Sequence, residues 1–439
     1  MNSRAAKSGF LLLLAVMLVP SFSYGQDSTG VPAVGELFDT IHVVVGPSKR
    51  SLQAVAISPV ECPTSVGGCA TADTTVSRDL EISGYFKLLD PKSFLADPKT
   101  ESLVTTSFPD WMNVGASWLI KYSVTGAGGS NVNLQFRLYD VNQKIARPVA
   151  DQSFPKISES QIRASTHKFV NAVIKEITGE PGIFGSQIVL SHKTGPTARD
   201  IIVMEMDGGG RSTLVSNGSA NMFPKWTRSG GVLYTSFKPG VPQLYIGKKR
   251  ITNDGYQYRG GELSPDGSVI AASVDMDDQS DLVLIDPSSG KIVRKLTDTQ
   301  WDEVSPSWSS DGRLIAYVSA KGGDPQIYLM NSDGSGERRL TMAGAYNTGA
   351  RFGPGNKVVF AGMDEFRSDL FVADLDGNIS RLTQDQGNNK DAAWSPDGRY
   401  FVFLSDRTGG WKVWIMTEDG RYQFPISADE GWFGTPDWK

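Results

Sequence analysis

The spacing of apolar side chains divides the chain into stretches of different period. Trp118, Ile120, Tyr122 and Val124 alternate with Leu119, Lys121 and Ser123. Beyond Gly126-Ala127-Gly128-Gly129, Val132, Leu134, Phe136 and Leu138 alternate with Asn133, Gln135 and Arg137. A period of two on both sides of a glycine-rich turn predicts a β-hairpin with one buried face. Upstream, residues 41–45 and 53–57 read as strands, and Val76, Leu80 and Phe86 are spaced as in a helix over 74–86. Downstream, Ile162, Thr166, Phe169, Val170, Val173 and Ile177 fall on one face of a helix. Ser158-x-x-Gln161 is a capping box at its start, and Gly179 followed by Pro181 stops it. His167 lies one residue past the apolar face and reads as a packing or hydrogen-bonding side chain rather than a ligand; His42, in a strand, reads the same way. Residues 40–180 are therefore expected to form a small α/β domain.

Past residue 182 the chain repeats. Glu262-Leu263-Ser264-Pro265-Asp266-Gly267, Ser307-Trp308-Ser309-Ser310-Asp311-Gly312 and Ala393-Trp394-Ser395-Pro396-Asp397-Gly398 are copies of one unit. Each is followed by an apolar strand, a polar turn, a second strand, an Asp-Gly turn and a last strand. The anchors Trp226, Leu263, Trp308, Phe352, Trp394 and Trp438 are separated by 37, 45, 44, 42 and 44 residues. Four short strands in about 40–45 residues is the period of a β-propeller. Trp438 has only Lys439 after it, whereas three strands between 186 and 216 have no anchor before them. The two fragments complete one blade. The fold class is thus mainly β: a six-bladed propeller over 183–439, closed by the C-terminal strand and preceded by the α/β domain. Asp-Gly recurs because tight hairpins recur, and the tryptophans read as core between blades.

The first 25 residues read as a secretory signal. Arg4 and Lys7 precede ten apolar residues, Phe10 to Val19, and Ser23-Tyr24-Gly25 offers a cleavage site before Gln26. Ten residues are short of the roughly 20 needed to span a bilayer, so no direct membrane insertion is expected. Residues 26–39 are small, polar and punctuated by Gly and Pro, and predict a flexible arm. The whole chain has a net charge of −5, and the leader takes Arg4 and Lys7 but no acid with it. An acidic balance argues against nucleic acid as a partner. Export makes an oxidising compartment the expected one, and Cys62 and Cys69, six residues apart around Gly67-Gly68, are best read as a local disulfide. A redox-active pair more often has the Cys-x-x-Cys spacing.

Catalytic signatures do not stand out. There is no Gly-x-Ser-x-Gly, the last of three histidines is His192, and no His or carboxylate cluster has metal-ligand spacing. Neither cofactor nor metal is expected. A propeller without catalytic groups usually binds protein. Loops entering the first strand of each blade share a rim with those joining the second and third. That rim is expected to carry Met222, Tyr256, Gln257, Tyr258, Arg259, Glu303, Ser305, Asn347, Thr348, Asn389, Lys390, Trp432 and Phe433. Aromatic and Arg side chains there suit an interface; filling of the central channel is the other reading. A secreted propeller hydrolase or lyase, and a propeller binding a small ligand or glycan, remain alternatives.

An export signal, a small α/β domain and Trp-Ser-Pro-Asp-Gly blades ending in Pro436-Asp437-Trp438 resemble the TolB family, periplasmic components of the Tol–Pal system. Ile177-Thr178-Gly179-Glu180-Pro181-Gly182-Ile183-Phe184 and Leu138-Tyr139-Asp140-Val141 are similar to that family's sequence. The resemblance implies a non-enzymatic periplasmic adaptor supporting outer-membrane integrity and envelope constriction at division. It implies binding of the Pal lipoprotein at the propeller mouth. It also implies binding of TolA by the N-terminal arm, here Gln26, Asp27, Ser28, Val31 and Val34. A monomer is expected when no partner is bound.

Overall fold

The computed structural model describes residues 51–439 apart from 64, 98–99, 277–278, 365–366 and 429–430. The leader, the arm with its five named residues, the 41–45 strand and His42 lie outside the described residues. No helix among the described residues is long and apolar enough to cross a membrane.

The first layer is a mixed sheet. β1 (Gln53–Glu61) runs parallel to β2 (Phe86–Leu88) and to β3 (Trp118–Gly126). β4 (Asn131–Asp140) pairs antiparallel with β3 and carries β5 (Ile145–Ala146) and β6 (Gln152–Ser158). The disulfide Cys62–Cys69 links the end of β1 to the start of α1 (Cys69–Ile82), with the Cα atoms 5.9 Å apart. Two expectations are corrected. The helix expected over 74–86 begins at Cys69 and ends at Ile82, and Phe86 belongs to β2. Gly84 adopts φ of 70° and turns the chain so that Tyr85 O accepts from Gln53 N at 2.9 Å. The β3 strand is buried on both faces, not one. Its polar face, with Lys121 and Ser123, lies beneath the 89–116 segment, where Trp111 and Phe94 pack in α2 (Phe108–Asn113) and the loop before it. Burial pulls the Lys121 ammonium below its ordinary pKa. Its pairing with Glu101, and bonds to Ser102 O (3.0 Å) and Thr106 Oγ1 (2.9 Å), keep the buried charge satisfied.

The capped helix α3 (Glu159–Thr178) forms as expected. Ser158 and Gln161 make the reciprocal capping box, and Gly179 closes the helix at φ of 84°. Ile162, Phe169, Val170 and Val173 are buried. The Phe169 ring stacks on Phe136 of β4 at 4.3 Å.

The remaining strands form six four-stranded sheets. The first strands of the blades are Asn221–Trp226, Gln257–Leu263, Glu303–Trp308, Tyr346–Phe352, Asn389–Trp394 and Phe433–Trp438. Each contacts the next around the ring, so they are innermost. The last of them pairs antiparallel with β7 (Gln187–Lys193) and completes the blade with β8 (Arg199–Glu205) and β9 (Ser212–Val215). Gln187 and Lys439 exchange two backbone hydrogen bonds of 2.9 Å, and Trp438 Nε1 donates to Ser186 Oγ at 2.9 Å.

Adjacent blades are stapled through the residue before the anchor. Asp437 Oδ2 accepts from Trp226 N at 2.8 Å, and its Oδ1 takes Lys225 Nζ at 2.8 Å. Glu262 Oε1 accepts from Trp308 N at 3.2 Å, and Ser307 Oγ from Phe352 N at 3.2 Å. In each case a side chain of one blade satisfies an inner-edge N–H of the next, a donor that would otherwise remain an open sheet edge.

The α/β domain seats on one face of this ring. Tyr400 Oη donates to Ser83 O at 2.9 Å, Arg399 reaches Pro181 O, and Arg78 reaches Pro425 O. One apolar cluster runs from Val76, Leu80 and Phe169 into Ile188, Tyr400, Val402 and Trp438. The propeller residues involved lie in or beside hairpins joining first to second, or third to fourth, strands. Trp438 is 7% exposed and belongs to both the closing strand and this cluster. Trp438→Ala is expected to cost about 3–5 kcal/mol in urea unfolding, with a loss under 1 kcal/mol contradicting its placement.

Candidate functional site

Strands within a blade alternate in direction, so the mouth lies on the face opposite the α/β domain. Its geometry follows from a register shared by all six inner strands. Three residues before each anchor stand Phe223, Gly260, Ser305, Gly349, Asp391 and Thr435. All six have positive φ, at 55°, 92°, 58°, 66°, 54° and 39° respectively. The ladder to the second strand shifts there in every blade. This is a bulge repeated with the ring, and it redirects the strand as it enters the mouth. Left-handed backbone costs non-glycine residues about 1–2 kcal/mol each, so the surrounding structure must impose it.

Five residues before each anchor stand Asn221, Tyr258, Glu303, Asn347, Asn389 and Phe433, and every one is buried. The polar members tie the ring together. Asn221 Nδ2 donates to Arg199 O at 2.8 Å and its Oδ1 accepts from Ser236 Oγ at 2.7 Å. Glu303 accepts from Thr299 Oγ1 (2.8 Å) and Ser319 Oγ (2.9 Å), and burial raises its carboxyl above the ordinary range. Asn347 Nδ2 donates to Gln326 Oε1 at 2.8 Å, and Asn389 Oδ1 accepts from Arg407 at 2.7 Å. Tyr258 Oη donates to Asp254 Oδ2. Phe433 stacks on His192 at 5.0 Å. Tyr258, Glu303, Asn347, Asn389 and Phe433, expected on the rim by position, therefore serve its frame.

One residue further on, Met222, Arg259, Thr348 and Lys390 are half-buried. Arg259 Nε donates to Asp275 at 2.7 Å, and Lys390 Nζ sits 4.3 Å over the Trp411 ring. Ser305 is also half-buried, its N donating to Ser273 Oγ at 3.1 Å. Gln257, Tyr256 (44% exposed) and Trp432 (53% exposed) face solvent. Sequence reasoning missed Val241 and Met342, the latter 74% exposed, in loops of the same rim; an apolar residue in a polar connector was the available signal. With Tyr346 these make five exposed large apolar side chains on one face. The propeller's other two among the described residues, Leu214 and Val293, sit on outer strands.

The opposite face carries a cavity of about 440 Å³ between the second and third blades, beside Arg228, Pro265 and Trp308. Its carboxylates Asp266 and Asp311 are each bound by a serine at 2.6 Å, Ser264 and Ser309, and by backbone N–H groups that close the hairpin. Among the described residues, the one His/carboxylate group with metal-like spacing, Asp79, His167 and Asp207, lies at the domain junction and not at the mouth.

Because a Cβ on Gly260 would stand 3.1 Å from Phe223 Cβ at positive φ, Gly260→Val is expected to destabilise by about 2 kcal/mol. Ser305→Gly, at the matching place in the next blade, is expected to be neutral or stabilising. Equal urea midpoints for the two variants would contradict the shared bulge.

A family model described as "TolB amino-terminal domain" matches residues 41–146, and one described as "TolB beta propeller domain" matches 174–360. The Tol-Pal system protein TolB of Anaeromyxobacter dehalogenans strain 2CP-1 is 36% identical over 276 residues, 61% of this chain and 62% of the relative. The protein TolB homolog of Chlorobium luteolum is 28% identical over 290 residues, 63% of this chain and 64% of the relative. The chain thus spans less than two thirds of the curated relatives it matches. The crystal structure of TolB from Acinetobacter baumannii superposes with a TM-score of 0.74 at 21% identity, over 88% of this chain and 96% of that one, a likeness of fold. The two family models match in the order of the two domains and together span about two thirds of the sequence, and the chain belongs to the TolB family.

Proposed function

We propose that this protein acts in the periplasm as a non-enzymatic adaptor of the Tol–Pal system. In this reading the propeller mouth receives the Pal lipoprotein and the arm over 26–39 engages TolA. The observation that carries it is the gathering of Val241, Tyr256, Met342, Tyr346 and Trp432 on the propeller face that the α/β domain leaves uncovered. Exposed aromatics and Met around a rigid frame are the side chains that dominate protein interfaces. The frame beneath them is fixed by buried, hydrogen-bonded Asn221, Glu303, Asn347 and Asn389, so little ordering is needed on binding. Membership of the TolB family, whose curated members are named as Tol-Pal system proteins, supports the same reading.

The test is calorimetric titration of the full chain with the soluble domain of its cognate Pal. A 1:1 complex is expected, weakened tenfold or more by Trp432→Ala or Tyr256→Ala, since a hot-spot aromatic contributes about 2 kcal/mol. Leu214→Ala, on an outer strand, should leave the affinity unchanged. No heat at micromolar concentration, or equal affinity for all variants, would count against the mouth.

A further inference from the structure

The junction between the two domains contains a compact polar group that neither the fold nor the proposed mouth uses. Asp79 comes from α1, Arg163 and His167 from α3, Glu205 from the end of β8, and Asp207 from the hairpin that follows. His167 Nδ1 lies 2.6 Å from Asp79 Oδ2, and its Nε2 lies 3.2 Å from Glu205 Oε2. Arg163 Nε donates to the same Glu205 oxygen at 2.7 Å, and its terminal nitrogen pairs with Asp207 Oδ1. Gly209 N also donates to Asp207 Oδ1, at 3.1 Å. Both bonds fall on the same Asp207 oxygen.

Asp79 makes the group unusual. It is 0% exposed, and its Oδ1 has no hydrogen-bond partner. A buried carboxylate oxygen without a donor is costly and calls for an explanation. One donor atom each from Asp79, His167 and Asp207 lies within 4.8 Å of the others.

We propose that Asp79, His167 and Asp207 bind a divalent first-row transition cation of the zinc type, which clamps the α/β domain to the propeller. Imidazole with carboxylates is a donor set suited to such ions. Ligand atoms about 2 Å from an ion stand at most ~4 Å apart, so small side-chain rotations close the set. Glu205 supplies the outer support. By accepting Nε2–H it holds the neutral tautomer that offers Nδ1 to the ion, the arrangement found behind metal-bound histidines. Charge agrees as well. With His167 bound to the ion as a neutral imidazole, three carboxylates against the Arg163 guanidinium leave two negative charges, which a divalent ion would cancel. The orphaned Asp79 oxygen then has a partner.

The test uses the untagged full-length chain, stripped with EDTA, dialysed against micromolar zinc and assayed for bound metal by mass spectrometry. One zinc per chain is expected, with a thermal midpoint that rises with zinc concentration. His167→Gln and Asp79→Asn should lose both the metal and the thermal shift. Glu205→Gln should bind about tenfold more weakly, as outer-support changes do. His192→Gln, remote from the junction, should bind as the unaltered chain does. Circular dichroism identifies any variant that fails to fold, and Asp207→Asn then takes its place. Absence of bound zinc in the unaltered chain overturns the proposal, as does full binding by folded His167→Gln.

Discussion

A propeller is a sheet array bent into a circle, and a circle has to be shut. Here the shutting interaction is the pairing of Phe433–Trp438 with Gln187–Lys193, two segments from opposite ends of the second domain. Unpaired, each would present a row of backbone donors and acceptors. Paired, they also place Asp437 against Lys225 and Trp226 N of the first blade, and Trp438 against the core shared with the α/β domain. One six-residue strand therefore closes the ring, links the last blade to the first, and helps seat the other domain.

Closure in turn divides the molecule into two unlike faces. Hairpins closed by Ser-x-Asp-Gly and Asp-Gly turns occupy one, and there the α/β domain docks through Ser83, Tyr85 and Pro181. The other is entered by inner strands that all bulge at one position. The buried side chains two residues earlier brace that entry from blade to blade. Longer connectors are then free to display Tyr256, Met342 and Trp432 on a rigid support.

How much of this was legible in the sequence depends on whether a feature carries its own chemistry. The blade repeat was legible because each hairpin needs Asp-Gly, and the closure because three strands between 186 and 216 had no anchor before them. Cys62 and Cys69 bonded as their spacing suggested. The repeated bulge was not legible. Phe223, Ser305, Asp391 and Thr435 are not residues that announce left-handed backbone. Asn347, Asn389 and Glu303 looked like surface groups because they begin strands; a neighbouring blade or connector covers them. Alternation mistook Lys121 for a solvent-facing residue because the 89–116 segment that covers it is irregular. His167 is hydrogen-bonded, but its partners Asp79 and Glu205 lie 88 and 38 residues away in sequence. Long-range partners of this kind leave no local pattern.

Residues 433–439 are structural, paired inside the sixth blade. Hydrogen exchange of the 433–439 peptide tests this directly. Terminal residues ordinarily exchange at the rate of unstructured chain. Here the amide of Lys439, which donates to Gln187 O, should be protected to the same degree as that of Ile188, which faces β8. Exchange of the terminal peptide at the unstructured rate, with Ile188 still protected, would mean that the closing strand is not docked.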